Sequence, residues 1–149
     1  MSRLPAFCKI ILDTDSSITR WVCAGLNFNA ECLGECYTLG FFVGDKLVGG
    51  LVYHNIRPGR DLWWTIFTTD KRWCNRRVLK IIFALAFKYW QVKRISLLIN
   101  TDNYDCIKLV EKLGFKREGL MRQYRDDGSD CYFYGILKSE NIWKGKNNE

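Results

Sequence analysis

Ten consecutive residues, Lys71-Arg72-Trp73-Cys74-Asn75-Arg76-Arg77-Val78-Leu79-Lys80, gather five cations where a helix is expected to begin. That is the wrong end for cations. A helix N-terminus carries partial positive charge, so each cation there costs about 0.3–1 kcal/mol at an exposed site. An anion seated on that end reverses the sign, because backbone N–H groups and side-chain cations then converge on it. The alternative is a solvated basic face whose long side chains point away. Trp73, beside the cations, suits stacking on an adenine or a base, or equally a packing staple.

A second chemical stretch, Asn103–Gly119, reads N-Y-D-C-I-K-L-V-E-K-L-G-F-K-R-E-G. Asp102 or Asn103 can cap a helix through its side-chain oxygen. Cys106, Ile107, Val110 and Leu113 recur at helical spacing, and Gly114 falls where the helix must stop in a left-handed turn. Phe115 packs after that cap, and Lys116 opens a new strand. Other chemical residues are sparser. The single histidine, His54, titrates in a useful range, but at a strand end it reads equally as packing or surface. Asp126-Asp127-Gly128 is an ordinary turn signal that also brings two carboxylates together. Cys32 and Cys36 stand at helical spacing without further ligands, which gives no metal site.

The elements that position these residues are legible in order. Phe7–Leu12 is a first strand, and Asp15, Ser16 or Ser17 caps a helix from Ile18 to Phe28 with Ile18, Trp21, Val22 and Leu26 inward. Asn29–Glu35 is a loop or short helix. Tyr37–Val43 and Lys46–Asn55 form a hairpin around Gly44-Asp45, and Gly49-Gly50 marks a bulge or a close backbone approach. Arg57-Pro58-Gly59 turns into strand Asp61–Thr69, in which Trp63 and Trp64 put one ring on each face. A long helix, Asn75–Trp90, precedes strand Arg94–Asn100 and the Asn103 helix. The chain closes with a hairpin, Lys116–Tyr124 and Asp130–Lys138. The order β-α-ββ-β-α-β-α-β-β predicts a mixed α/β (α+β) domain over residues 1–143, with a polar tail at 144–149.

Bulk properties narrow the function classes. The chain has 149 residues, 48% hydrophobic, with six Trp, nine Phe and seven Tyr, which suits one folded domain rather than disorder. Seven cysteines, an odd count with no C-x-x-C pair, argue against a disulfide framework and a zinc site, and fit reduced thiols in a cytoplasm. No N-terminal stretch has the pattern of a secretory signal. The longest apolar run, Val78–Phe87, is broken by Lys80 and is too short to span a bilayer. A net charge of +7 favours polyanionic partners, whether nucleic acid or a phosphate-bearing cofactor.

The exact residues of the C-terminal third carry more. Asn103, a small residue three later, K-L-G-F, E-G, Arg122 and the terminal Y-G-x-L-x-x-E-x-x-W (Tyr134 to Trp143) resemble the GNAT superfamily of acyl-CoA N-acyltransferases, in particular its ribosomal-protein and small-amine (Rim-like) subgroup. The likeness covers residues 37–143. It implies a GNAT fold, a central, mostly antiparallel twisted sheet of about seven strands flanked by helices. It implies an enzyme that transfers an acetyl group from acetyl-CoA to a primary amine by direct attack, with no metal. The coenzyme pyrophosphate then lies on a loop of pattern Arg/Gln-x-x-Gly-x-Gly/Ala. Arg72 matches the first position, and Asn75 and Arg77 replace the two small residues, so the cofactor set becomes Lys71, Arg72, Asn75, Arg76, Arg77, Val78 and Leu79.

The same resemblance implies that strands Asp61–Thr69 and Arg94–Asn100 splay, so that backbone near Phe67 and Thr68 holds the pantetheine arm, and that Asn103 contacts the cofactor. Cys106 stands where the subgroup has a Ser proton donor, and a helix N-terminus is expected to lower its thiol from about 8.5. Tyr104 is the nearby alternative donor. Val110 stands where many members carry Tyr, and Arg125 where members carry a Glu base, leaving adjacent Asp126 as the candidate base. These departures also fit a non-catalytic GNAT module used for structure or interaction. A small, aromatic-rich, basic chain is similar to phage-encoded members that resemble virion components. A third reading, nucleic-acid binding through Lys71–Lys80, predicts strongly salt-dependent affinity but has no recognised motif.

Overall fold

The computed structural model describes residues 8–145. Seven strands alternate with three helices in the expected order: β1 (Cys8–Leu12), α1 (Ser17–Gly25), β2 (Cys36–Val43), β3 (Lys46–Arg57), β4 (Asp61–Thr68), α2 (Arg76–Ala84), β5 (Arg94–Asn100), α3 (Tyr104–Leu113), β6 (Lys116–Met121) and β7 (Cys131–Leu137). The strands form one sheet in the order β1-β2-β3-β4-β5-β7-β6. Pairs β1–β2, β2–β3, β5–β7 and β6–β7 are antiparallel. Phe7 and residues 146–149 of the expected tail lie outside the described residues. The chain divides into two compact units, one from residues 8–56 and 63–82, the other from 57–62 and 83–145.

In the first unit, strand alternation sends two sets of side chains to opposite faces. Phe41, Leu51, Tyr53 and Trp64 bury on one face; Tyr53 meets Trp64 edge-on, and its hydroxyl donates to the Ile82 carbonyl of α2 at 2.6 Å. The other face carries α1. Ile18, Val22 and Val52 form its centre, with Trp21, Leu26, Leu33, Cys36, Phe42, Leu47 and Phe67 packed around them. Helix α1 can come this close because Gly40 and Gly50 sit directly opposite one another in the β2–β3 register. A Cβ on Gly50 would lie 2.3 Å from Val22 Cγ2, and one on Gly40 2.7 Å from Ile18 Cδ1. The ladder shifts between Phe41 and Phe42, whose partners are Gly49 and Leu47, so a bulge and a close approach both occur at the expected glycines. Helix α1 stops at Gly25 rather than Phe28. Asp15 Oδ1 accepts from the Ser17 amide at 3.0 Å at its start. Asn29 then caps a short 3-10 turn, Ala30–Leu33.

In the second unit, Phe83 stacks on Phe87 and tilts against Phe115, and Ile95, Leu97, Ile99, Tyr134 and Ile136 bury along β5 and β7. Helix α2 gives way to a π-helical turn, Leu85–Tyr89, where the sequence pattern reads as uninterrupted helix. Helix α3 buries Ile107, Val110 and Leu113. It ends at Gly114 (φ 111), where Gly114 N–H bonds the Glu111 carbonyl and Phe115 N–H the Val110 carbonyl, the paired bonds of a Schellman cap.

Candidate active site

The cation-rich segment is the connection from β4 to α2 in the first unit. Phe67 packs inward, edge-on to Trp21 at 5.2 Å and where a Gly25 side chain would be. Beyond Thr68, the Thr69 amide still bonds the Val48 carbonyl at 2.8 Å. Asp70 then organises a 3-10 turn at Lys71–Trp73. Its Oδ1 accepts from the Arg72 amide at 2.9 Å, and its carboxylate clamps the Arg72 guanidinium, Nη2 to Oδ2 at 2.6 Å. The Arg72 hydrogen bonds hold the Asp70 carboxyl down to about 2.

Trp73 is the buried anchor of this connection. Its ring is 1% exposed and stacks on Phe41, centroids 5.1 Å apart and planes 15° apart. The staple reading is the one realised, and no ring face is left for an adenine. Asn75 caps α2: its Oδ1 accepts from Val78 N–H and its carbonyl from Leu79 N–H, both at 3.0 Å. Val78 and Leu79 turn their side chains into the core. Lys71, Arg72, Arg76, Arg77 and Lys80 are exposed at this end of α2. Arg77 reaches back toward β1, where its Nη2 donates to the Cys8 carbonyl.

The second unit holds the proton-transfer candidates. Asn103 Oδ1 accepts from Cys106 N–H at 3.3 Å, so Asn103 is a helix cap here. Tyr104, the first residue of α3, is 69% exposed. Cys106 corrects an expectation. Burial pushes its thiol up to about 11, the opposite direction from the lowering expected at a helix terminus. Asp126 is exposed in the β6–β7 connection. Its neighbour Asp127 is used locally, accepting from the Ser129 amide and hydroxyl at 2.9 and 2.6 Å.

The sequence reading missed Asn100. From the end of β5 its Oδ1 accepts from Arg125 Nε at 2.9 Å and from the Cys131 thiol at 3.4 Å, and its Nδ2 reaches Ser129 Oγ at 3.3 Å. A polar residue closing an apolar strand was the available signal. His54 is held between strands, Nε2 2.9 Å from Thr65 Oγ1 and Nδ1 3.1 Å from Asn55 Oδ1. Because an amide oxygen only accepts, Nδ1 carries the proton and Nε2 takes the Thr65 hydroxyl. Burial lowers its pKa, against a smaller opposing effect of the Asn55 hydrogen bond. Among the described residues no group of three or more His, Cys, Asp or Glu is placed to hold a metal, and no helix is long and apolar enough to cross a membrane.

The chain matches the crystal structure of a spermidine N-acetyltransferase from Vibrio cholerae, bound to CoA and spermine, with a TM-score of 0.68 over 89% of this chain and 96% of that one, at 14% identity. This is the GNAT acetyltransferase fold. Mycobacterium smegmatis RimJ, in complex with CoA-disulfide, matches with a TM-score of 0.61 and 23% identity over 81% of this chain and 61% of that one. In sequence, an uncharacterized N-acetyltransferase, p20, of Bacillus licheniformis is 29% identical over 113 residues. That stretch is 74% of this chain, which spans 57% of the length of the relative. No protein-family model matches the chain.

Proposed function

We propose that this chain transfers an acetyl group from acetyl-CoA to a primary amine, the amine attacking the thioester directly with no covalent enzyme intermediate. The observation that carries the reading is a basic, ordered connection at the start of α2 within a GNAT fold. Lys71, Arg72, Arg76 and Arg77 supply the charge for the coenzyme phosphates. Hydrogen bonds to charged groups contribute about 1.5–3 kcal/mol each, enough for side chains to stand in for the amide cradle that glycines provide elsewhere. Asn75, Val78 and Leu79 shape that end of the helix. The Arg77 side chain is drawn toward the Cys8 carbonyl, which supports an open approach despite its size.

Phe67 and Thr68 offer backbone to the pantetheine arm, and Asn103 orders the start of α3. For protonating the departing thiolate, Tyr104 is favoured over Cys106. Tyr104 stands exposed at the start of α3, whereas Cys106 is half-buried and its thiol is raised by burial. Asp126 is the carboxylate offered as base. A cytoplasmic setting fits the seven free cysteines. The test is a panel of N-terminal peptides, amino sugars and polyamines incubated with acetyl-CoA, with products read by mass spectrometry. Acetylated amine, reduced strongly by Tyr104→Phe and little by Cys106→Ala, supports the reading. No product with any acceptor refutes it.

A second reading has its own support. Arg72 is already satisfied by Asp70, and Asn75 already caps α2, so the connection is internally complete. That favours a non-catalytic GNAT module in structure or assembly, including a virion component. Tight binding of acetyl-CoA without turnover on any amine selects this alternative. Strongly salt-dependent binding of DNA or RNA in its place selects the nucleic-acid reading.

A further inference from the structure

Acetyl transfer as proposed leaves the chain's one histidine, His54, without a role. His54 follows Tyr53 on β3, and Thr65 follows Trp64 on β4. Tyr53 and Trp64 meet on the face that α2 covers, so strand alternation puts His54 and Thr65 together on the α1 face. There Nδ1–H donates to Asn55 Oδ1 at 3.1 Å, and Nε2 accepts the Thr65 hydroxyl at 2.9 Å. The result is an ordered chain: a proton-bearing oxygen, a base within hydrogen-bond reach of it, and a third group that orients the base. Asn55 makes its bond from a left-handed backbone, φ 49, which Asn adopts more readily than most side chains.

The Thr65 hydroxyl has one proton and two lone pairs, and the proton is committed to Nε2. Toward any further partner the oxygen is therefore an acceptor, set to take an N–H. Thr65 and His54 are half-buried, so the pair is not sealed in the core. Along β4, Thr65 precedes Phe67, whose backbone is offered to the pantetheine arm, by two residues or about 6.6 Å. No charged side chain contributes to the titration of His54, which burial lowers and the Asn55 bond raises less. Across from it β2 presents Cys36, its register partner, and α1 turns Ile18 and Val22 to this face. Asp13, reached through Thr38 and Thr19, is bonded to the Thr19 amide and hydroxyl at 2.9 and 2.8 Å.

We propose that Thr65 and His54, rather than Asp126, carry the proton of the attacking amine, with Thr65 the catalytic residue and His54 and Asn55 acting through it. The inference rests on the acetyl-transfer reading. As the amine nitrogen bonds the acetyl carbon, its proton passes to Thr65 Oγ1 while the Thr65 proton passes to His54 Nε2. Thr65 ends neutral and His54 ends as an imidazolium. Both ring nitrogens then donate, to Thr65 Oγ1 and Asn55 Oδ1, so neither hydrogen bond is lost. The coenzyme sulfur leaves with the C–S electron pair and takes its proton from the separate donor. His54 returns its proton to solvent before the next turnover.

Two measurements on the full chain test this. Because there is a single histidine, its imidazole nitrogens give one pair of signals in a ¹⁵N NMR titration. The proton is expected on Nδ1, with a midpoint below 6.5; a proton on Nε2 overturns the proposal without any acceptor or coenzyme. The second is the pH profile of kcat, with acetyl-CoA and the best acceptor of the peptide, amino-sugar and polyamine panel. Thr65→Val and His54→Gln are each expected to lower kcat by about 100-fold or more with KM little changed, and Thr65→Ser to restore most of it. The acidic limb should vanish in His54→Gln. Circular dichroism and acetyl-CoA binding establish that the variants are folded, and the Thr65 pair decides the matter if His54→Gln is not. A limb that survives in His54→Gln, or Thr65→Val within about threefold of wild type, overturns the relay while acetyl transfer stands. No acetylated amine from the whole panel refutes the transfer, and the relay falls with it.

Discussion

Trp73→Ala is the sharpest test of how the basic connection is held. The indole is 1% exposed and lies flat on Phe41, so truncation loses a full aromatic side chain from a packed layer. Removing a buried Trp or Phe costs about 3–5 kcal/mol, of which the stacked pair itself accounts for about 0.5–1.5 kcal/mol. At the lower figure, a chain of this size loses about 6–12 °C in Tm. Urea denaturation followed by circular dichroism reads the change. Trp73→Phe keeps a ring over Phe41 and is expected to lose only about 1–2 kcal/mol, which gives a folded variant if the alanine change is too severe. A Trp73→Ala protein within about 0.5 kcal/mol of wild type refutes the burial. Loss of acetyl-CoA affinity at unchanged stability refutes it differently, because that is the signature of a ring that stacks on ligand.

Three further predictions follow from local geometry. Gly50→Ala drives a methyl into Val22 and is expected to destabilise by about 1–3 kcal/mol in urea; adding Val22→Ala should cost less than the sum of the single changes, and strict additivity contradicts the close approach. Asp70, held at about 2 rather than 3.8, favours folding above pH 3.8 and loses that contribution as pH falls through 2. Its NMR titration should move up in Arg72→Gln, whereas a wild-type midpoint near 3.8 means Arg72 is not clamped. Unfolded cysteine ionises from about 9 while Cys106 keeps its proton to about 11. The unfolded state therefore holds fewer protons in that window and stability falls as pH rises, and Cys106→Ala should remove part of that fall.

The fold was readable where local chemistry and global fold agree. Asn103 and Gly114 bracket α3 because a cap and a left-handed stop act within a few residues. Gly44-Asp45 sets the β2–β3 register because a two-residue loop fixes Val43 opposite Lys46. What escaped depends on distant partners. Trp73 finds Phe41 only after β2 is placed in the sheet, and nothing in K-R-W-C-N announces that. The direction of the Cys106 thiol turned on burial created by tertiary packing, against the local helix terminus. Arg72 and Asp70 are two residues apart, yet their pairing needs the 3-10 turn that bends one back on the other. The π-helical turn at Leu85–Tyr89 keeps nearly the periodicity of a plain helix, so hydrophobic spacing does not reveal it.

The most direct test of the central claim is calorimetric titration of the purified chain with acetyl-CoA at moderate salt, for wild type and for a Lys71→Glu/Arg76→Glu double variant. One saturable site is predicted, and loss of two charge-assisted contacts should weaken it by at least about 100-fold. No heat at millimolar acetyl-CoA, or an affinity indifferent to the charge reversal, contradicts the account: the GNAT fold would stand, and the acyltransferase would not.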